Sequence, residues 1–184
     1  MLVLAQMLLV LASWLLAATN TEGVRSLLSS EGVRWFFSNF TAMVASPWLV
    51  WLLLAAMAGG CVWQSGLLSR GQGFRDRLAL RTTVVLLIIY IGVVLLLTAV
   101  PHAVLLSATG QLFPSAFSRA LVPLIAFGAI FASVVYGWVS GRFTRLSGII
   151  DAFAFGISQS APIFVLYVVA IQLYESIIFV FLSY

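Results

Sequence analysis

The segment LLSSEGVRWFFSNFTAMVASPWLVWLLLAAMAGGCVWQSGLL, residues 27–68, joins an amphipathic half to a long apolar half. In the first half the apolar residues recur at helical spacing, so they share one face: Val33, Phe36, Phe37, Phe40 and Val44. Ser29 or Ser30 can cap the first turn by accepting from free backbone N–H groups. The pattern predicts an interfacial helix over residues 31–45 with its aromatic face on the membrane. Such a helix either organises the fold or only anchors a hairpin.

The second half has no charged residue from Pro47 to Trp63, so it can cross a bilayer. The whole chain follows the same trend, with 63% hydrophobic residues, 8% charged residues and a mean hydropathy of +1.16. A soluble domain has about a quarter of its residues charged. We therefore expect an all-α integral membrane protein whose main partner is the lipid bilayer.

The net charge of +4 does not indicate nucleic-acid binding. All nine basic residues are Arg, and they lie at the ends of apolar segments, where basic residues set membrane topology. Cys61 is the single cysteine and His102 the single histidine, which excludes an intramolecular disulfide and argues against a metal site. The sequence shows no phosphate-binding loop, carboxylate pair or nucleophile–base arrangement. We expect no cofactor, no catalytic residues and no enzyme activity.

Hydropathy predicts a single membrane domain, residues 1–184, with about five spans. Their approximate ranges are 2–18, 47–67, 82–100, 120–139 and 161–181. A signal peptide is the alternative for residues 2–18, but no basic residue precedes the apolar segment, which favours a retained helix. Residues 147–160 are moderately apolar with one Asp and are a second candidate for an interfacial helix.

Two predicted loops, residues 69–81 and 141–151, contain six Arg: Arg70, Arg75, Arg77, Arg81, Arg142 and Arg145. Because basic residues accumulate on the cytoplasmic side, both loops are predicted to be cytoplasmic. Five spans then place the N-terminus inside and the C-terminus outside. The expected location is the bacterial inner membrane.

Small residues recur every four positions on the fourth span, where they predict a groove for close helix packing: Ala129, Ser133, Gly137 and Gly141. The groove can serve packing within one chain, or association with a second copy or a second membrane protein. We therefore expect a homo-oligomer or a heteromeric complex.

Few polar residues interrupt the apolar segments. Glu175 is an ionisable group followed by further apolar residues, which marks a functional hypothesis at membrane depth. The alternative is that Glu175 lies at the outer interface and pairs with Arg119. Together with Gln64 and Gln172, Glu175 is a candidate for substrate binding, and Gln159 is the remaining inward polar candidate.

Several separated patches occur in an order that resembles one known family. They are LLSSEGVRW (27–35) with Ser38-Asn39, QSGLL (64–68), Thr109-Gly110 with Pro114-Ser115, VPLI (122–125), VYG (135–137) and Gln172. In this order the patches are similar to the AbgT family, which transports p-aminobenzoyl-glutamate and sulfonamides. The resemblance implies a reduced AbgT transporter scaffold.

The chain departs from the family between Leu68 and Arg75, where the family inserts a re-entrant hairpin and neighbouring helices. The family also continues beyond the position of Tyr174 into a second hairpin, whereas this sequence stops at Tyr184. The resemblance therefore transfers no binding residue. It implies a transport-related scaffold or subunit without the substrate-binding hairpins. The alternative is a small self-sufficient transporter or exporter of aromatic anions, working as a homo-oligomer.

Overall fold

A computed structural model describes residues 1–19, 23–69, 73–99 and 116–182, apart from the side chains of residues 99 and 116–119. These residues form helices and connecting turns, and no strand occurs within them. The all-α prediction is therefore confirmed. The predictions for His102, Thr109-Gly110 and Pro114-Ser115 lie outside the described residues, as does the side chain of Arg119.

Six helices make up this part of the chain. They are α1 (Leu2–Ala18), α2 (Ser30–Val44), α3 (Pro47–Ser65), α4 (Phe74–Ala99), α5 (Ala116–Ser140) and α6 (Leu146–Phe181). Four segments are long and apolar enough to cross a membrane: Ser30–Ser65 (α2 and α3 taken together), Phe74–Thr98, Ala120–Ser140 and Leu146–Phe181. The shorter α1, with 17 residues, is also apolar. The protein thus has the character of a multi-pass helical membrane protein.

The amphipathic helix α2 begins and ends with satisfied backbone groups. At its start the Ser29 Oγ accepts from the Gly32 N–H at 3.0 Å, so Ser29 rather than Ser30 is the cap. At its end the Tyr167 hydroxyl donates to the Val44 carbonyl at 3.2 Å and shares a 2.5 Å hydrogen bond with Ser46. Pro47 then opens α3, where its missing N–H costs nothing.

Helices α4, α5 and α6 each begin earlier than the apolar span predicted for them. Helix α4 starts at Phe74 rather than near residue 82, and α6 runs unbroken from Leu146 through the region predicted as a separate interfacial helix. The loops at 69–81 and 141–151 are correspondingly shorter. The physical reason is that hydropathy marks the part of a helix that prefers lipid, whereas charged turns such as residues 74–81 continue the helix into water. Pro162 lies inside α6, which membrane helices tolerate.

The chain divides into two compact units. The terminal unit contains Met1–Val50 and Ala161–Tyr184, and the central unit contains Trp51–Ser160. Leu27, Phe179 and Val180 form the core of the terminal unit, with Leu9, Val10, Val24 and Trp35 packed against them. The Trp35 and Phe179 rings stack with their centroids 4.2 Å apart, which attaches α2 to α6.

In the central unit, α3 and α6 cross at glycine. A Cβ built on Gly60 would lie 2.6 Å from the Gly156 Cα, and one built on Gly156 would overlap the Ala56 carbonyl oxygen. This is the close approach that small residues four apart permit in membrane helices. Beside the crossing, Cys61, Phe143 and Ala152 form a buried cluster. Helix α4 packs along α5.

Candidate functional site

A polar cluster, here called the Arg142 cluster, joins the ends of three helices in the central unit. Arg142 Nη1 donates to the Ser65 carbonyl at the end of α3 (2.9 Å) and to Ser69 Oγ (3.3 Å). Arg142 Nη2 lies 4.0 Å from Asp76 Oδ1, which also accepts from the Tyr136 hydroxyl at 3.3 Å. The Arg142 guanidinium lies 5.8 Å from the centre of the Tyr136 ring. The cluster therefore fixes α3, α4 and α5 to one another at one end of the unit.

Two glycine turns place Arg142. Gly141, with φ +82°, ends α5 in the left-handed conformation that glycine adopts without strain, and the Phe143 N–H then donates to the Gly137 carbonyl at 2.9 Å. Gly66, with φ +66°, ends α3, and a Cβ there would occupy the position of the Arg142 guanidinium. Because neither turn accommodates a larger residue, the local sequence directs Arg142 onto the end of α3.

The small-residue stripe on α5 has several separate contacts in this structure. The Phe143 ring lies over Gly137, where a Cβ would be 2.6 Å from Cε2, and Gly141 forms the turn. Ser133 is fully buried and its Oγ donates to the Ala129 carbonyl at 2.7 Å. The groove at Gly137 is thus occupied by a residue of the same chain. Packing of the stripe against a second molecule stays a prediction.

Arg142→Ala is expected to destabilise the central unit by about 1–2 kcal/mol. The change removes charge-assisted hydrogen bonds to Ser65 and Ser69, each of a type that contributes about 1.5–3 kcal/mol when well shielded, and the guanidinium here is partly exposed. The measurement is thermal unfolding of purified protein, followed by tryptophan fluorescence. Arg145→Ala is the matched control, because the Arg145 side chain has no ion pair or hydrogen bond with any described residue. Equal effects of the two changes would contradict this role for the cluster.

A cavity of about 370 Å³ adjoins the Arg142 cluster. It is lined by Leu67, Ser69, Asp76, Arg77, Leu80, Arg81 and Tyr136. Arg77 and Arg81 are exposed, and their side chains form no ion pair or hydrogen bond within the described ranges. The cavity thus holds two free guanidinium groups, which favour an anion. The hydroxyl hydrogens of Ser69 and Tyr136 are already donated to the Gly66 carbonyl and to Asp76.

A second cavity, of about 470 Å³, lies along α4 and α5 and is almost entirely apolar. Among its lining residues Tyr90 carries a hydroxyl, and that hydroxyl already donates to the Leu124 carbonyl at 2.9 Å. A Cβ on Gly128 would stand 3.0 Å from the Tyr90 ring, so glycine makes room for the aromatic side chain. No charged side chain belongs to this lining. The cavity suits hydrocarbon rather than a polar solute.

The terminal unit contains a polar pair that the sequence did not single out. Gln6 Nε2 donates to Ser176 Oγ at 3.0 Å, while Gln6 Oε1 is buried without a hydrogen-bond partner in the described structure. Ser13 Oγ accepts from the Leu27 N–H at 3.2 Å and donates to the Val10 carbonyl. Gln6 and Ser13 looked like single interruptions of an apolar segment. The only available signal was that their spacing of seven residues puts both on one face of α1.

The predicted substrate-binding residues have no polar contacts that would form a site. Gln64 is exposed on α3 in the central unit, and Gln159 is exposed on α6. Gln172 and Glu175 are half-buried on the part of α6 that belongs to the terminal unit. None of the four side chains has a hydrogen bond or ion pair with another described residue. The pair of Glu175 with Arg119 falls outside the described side chains.

Comparison with protein-family models, curated proteins and solved structures gave no match for this chain. Among the described residues, no three His, Cys, Asp or Glu side chains come close enough together to hold a metal ion.

Proposed function

We propose that this protein is a transport-related membrane scaffold or subunit, similar to the AbgT transporters but without their long insert between Leu68 and Arg75. In this proposal it lies in the bacterial inner membrane with its N-terminus and Arg-rich turns in the cytoplasm. It catalyses no reaction. Its partner is a second copy or another membrane protein.

The supporting observation is how little of the apolar helix surface is buried within the chain. In the most apolar window of α4 only 6% of the residues are buried, and in that of α6 only 17%. Most of this surface therefore faces outward, towards lipid or another protein. The fully buried serines, by contrast, bond within the chain: Ser13, Ser65, Ser133 and Ser176. Such a molecule has much surface for association and few free polar groups for solute binding.

The test is the mass of the protein extracted in native membrane nanodiscs, with every co-isolated protein identified. A second membrane protein at fixed stoichiometry, or a defined homo-oligomer without transport activity, is the expected result. A monomer without any partner would contradict the proposal.

A self-sufficient transporter of aromatic anions is the second candidate, favoured by the cavity with Arg77 and Arg81. A flux assay in proteoliposomes, using p-aminobenzoyl-glutamate and a sulfonamide, separates the two functions. The scaffold proposal expects no flux from this chain alone. Measurable flux that is lost in Glu175→Gln and Gln172→Ala would overturn it.

A further inference from the structure

We propose that the cavity formed by Ser69, Arg77, Arg81 and Tyr136 binds the phosphate headgroup of an anionic phospholipid. This inference does not depend on the transport-related function proposed above. It rests on the chemistry of the cavity and on its continuity with the outer surface of α4.

The cavity presents two guanidinium groups from one face of a helix. Arg77 and Arg81 are four residues apart at the start of α4, so their side chains lie one turn apart on the same side. Guanidinium groups bind phosphate oxygens through paired N–H donors. Ser69 and Tyr136 also line the cavity, but their hydroxyl hydrogens are donated to the Gly66 carbonyl and to Asp76, so the two arginines are the phosphate donors.

The single acid of the cavity is already engaged by other groups. Asp76 Oδ1 faces Arg142 at 4.0 Å and accepts from Tyr136 at 3.3 Å. Its charge is therefore balanced by Arg142, which leaves Arg77 and Arg81 as net positive charge in the cavity. At about 370 Å³ the cavity has room for a phosphate group together with part of a glycerol headgroup.

The helix surface below the two arginines favours a lipid over a soluble anion. Val85 and Ile89 continue the row of Arg77 and Arg81 at steps of four residues, and both are exposed, at 57% and 55%. Leu80, at the edge of the cavity, is half exposed. A molecule whose phosphate lies at the arginines therefore has an apolar strip beneath it for its acyl chains. A free phosphate would contact only the arginines and would leave the apolar strip unused.

The experiment measures lipid retention by native mass spectrometry, with the full chain released from nanodiscs of equal phosphatidylglycerol and phosphatidylcholine. The wild-type protein is expected to retain phosphatidylglycerol preferentially. Arg77→Gln with Arg81→Gln should reduce this preference by about 25-fold, since each arginine near anionic lipid contributes a factor of about five. If the double variant does not fold, Arg81→Gln alone tests the same point, with an expected loss of about fivefold.

The control pair is Arg34→Gln with Arg145→Gln, which removes the same charge from two exposed arginines without ion pairs in the described structure. It should leave the preference nearly unchanged. Equal losses in the two double variants would mean diffuse surface attraction and would overturn the proposal. Excess inorganic phosphate separates a lipid headgroup from a free anion. Displacement of the retained lipid by phosphate would assign the cavity to a soluble phosphate compound instead.

Discussion

Gly156→Val is expected to prevent the central unit from reaching its folded structure. A Cβ at Gly156 would overlap the carbonyl oxygen of Ala56 and would lie 2.9 Å from the Cα of Gly60. These are backbone atoms of α3, so no side chain can rotate away to relieve the contact. Overpacking in cores usually costs about 1–3 kcal/mol, and a clash between two helix backbones belongs at or above the upper end of that range.

The measurement combines size-exclusion chromatography with thermal unfolding in the same detergent. Gly59→Val is the matched control, because Gly59 is adjacent to Gly60 but has nothing within 4 Å of its Cβ position. The valine introduced has the same helix propensity at both sites, so a difference between them reports the crossing. A Gly156→Val protein that is as monodisperse and as stable as Gly59→Val would disprove the close approach of α3 and α6.

The crossing of α3 and α6 also separates the features of the fold that local sequence determines from those that it does not. The bounds of α1 follow from a continuous apolar run, and those of α2 follow from apolar periodicity and the cap at Ser29. These signals act within a few residues. The contact of Gly60 with Gly156 depends on two segments nearly a hundred residues apart, and neither segment indicates its partner. The stripe at 129–141 has a stronger local pattern, but its glycines accommodate Phe143 and the turn at the end of α5.

The candidate sites show the same contrast between local sequence signals and contacts that depend on the fold. The sequence identifies Arg77, Arg81 and Arg142 as topology signals, because a charged residue next to an apolar span is a local pattern. Their division into a bound arginine and two free ones depends on Asp76, Tyr136 and the end of α3, which only folding brings together. Gln64, Gln172 and Glu175 stood out because they interrupt apolar runs. The position of a polar residue within an apolar span does not indicate whether the fold brings it close to other polar side chains.

Phe179→Ala is expected to release α2 from the terminal unit. Phe179 is 3% exposed, its ring stacks on Trp35 at 4.2 Å, and the guanidinium of Arg25 lies 6.0 Å from its centroid. Phenylalanine-to-alanine changes in water-soluble cores cost about 3–5 kcal/mol, and lipid replaces part of the lost contact here, so we expect about 2–3 kcal/mol.

The readout is protection of α2 from hydrogen–deuterium exchange in nanodiscs, because undocking exposes its backbone amides without unfolding the central unit. Phe181→Ala is the control, since Phe181 is two residues further along α6 and 46% exposed. The amides of residues 33–44 should exchange faster in Phe179→Ala and at the wild-type rate in Phe181→Ala. Unchanged exchange in both variants would mean that the membrane interface alone holds α2. Its aromatic face would then be an anchor rather than part of the fold, which is the alternative that the sequence left open.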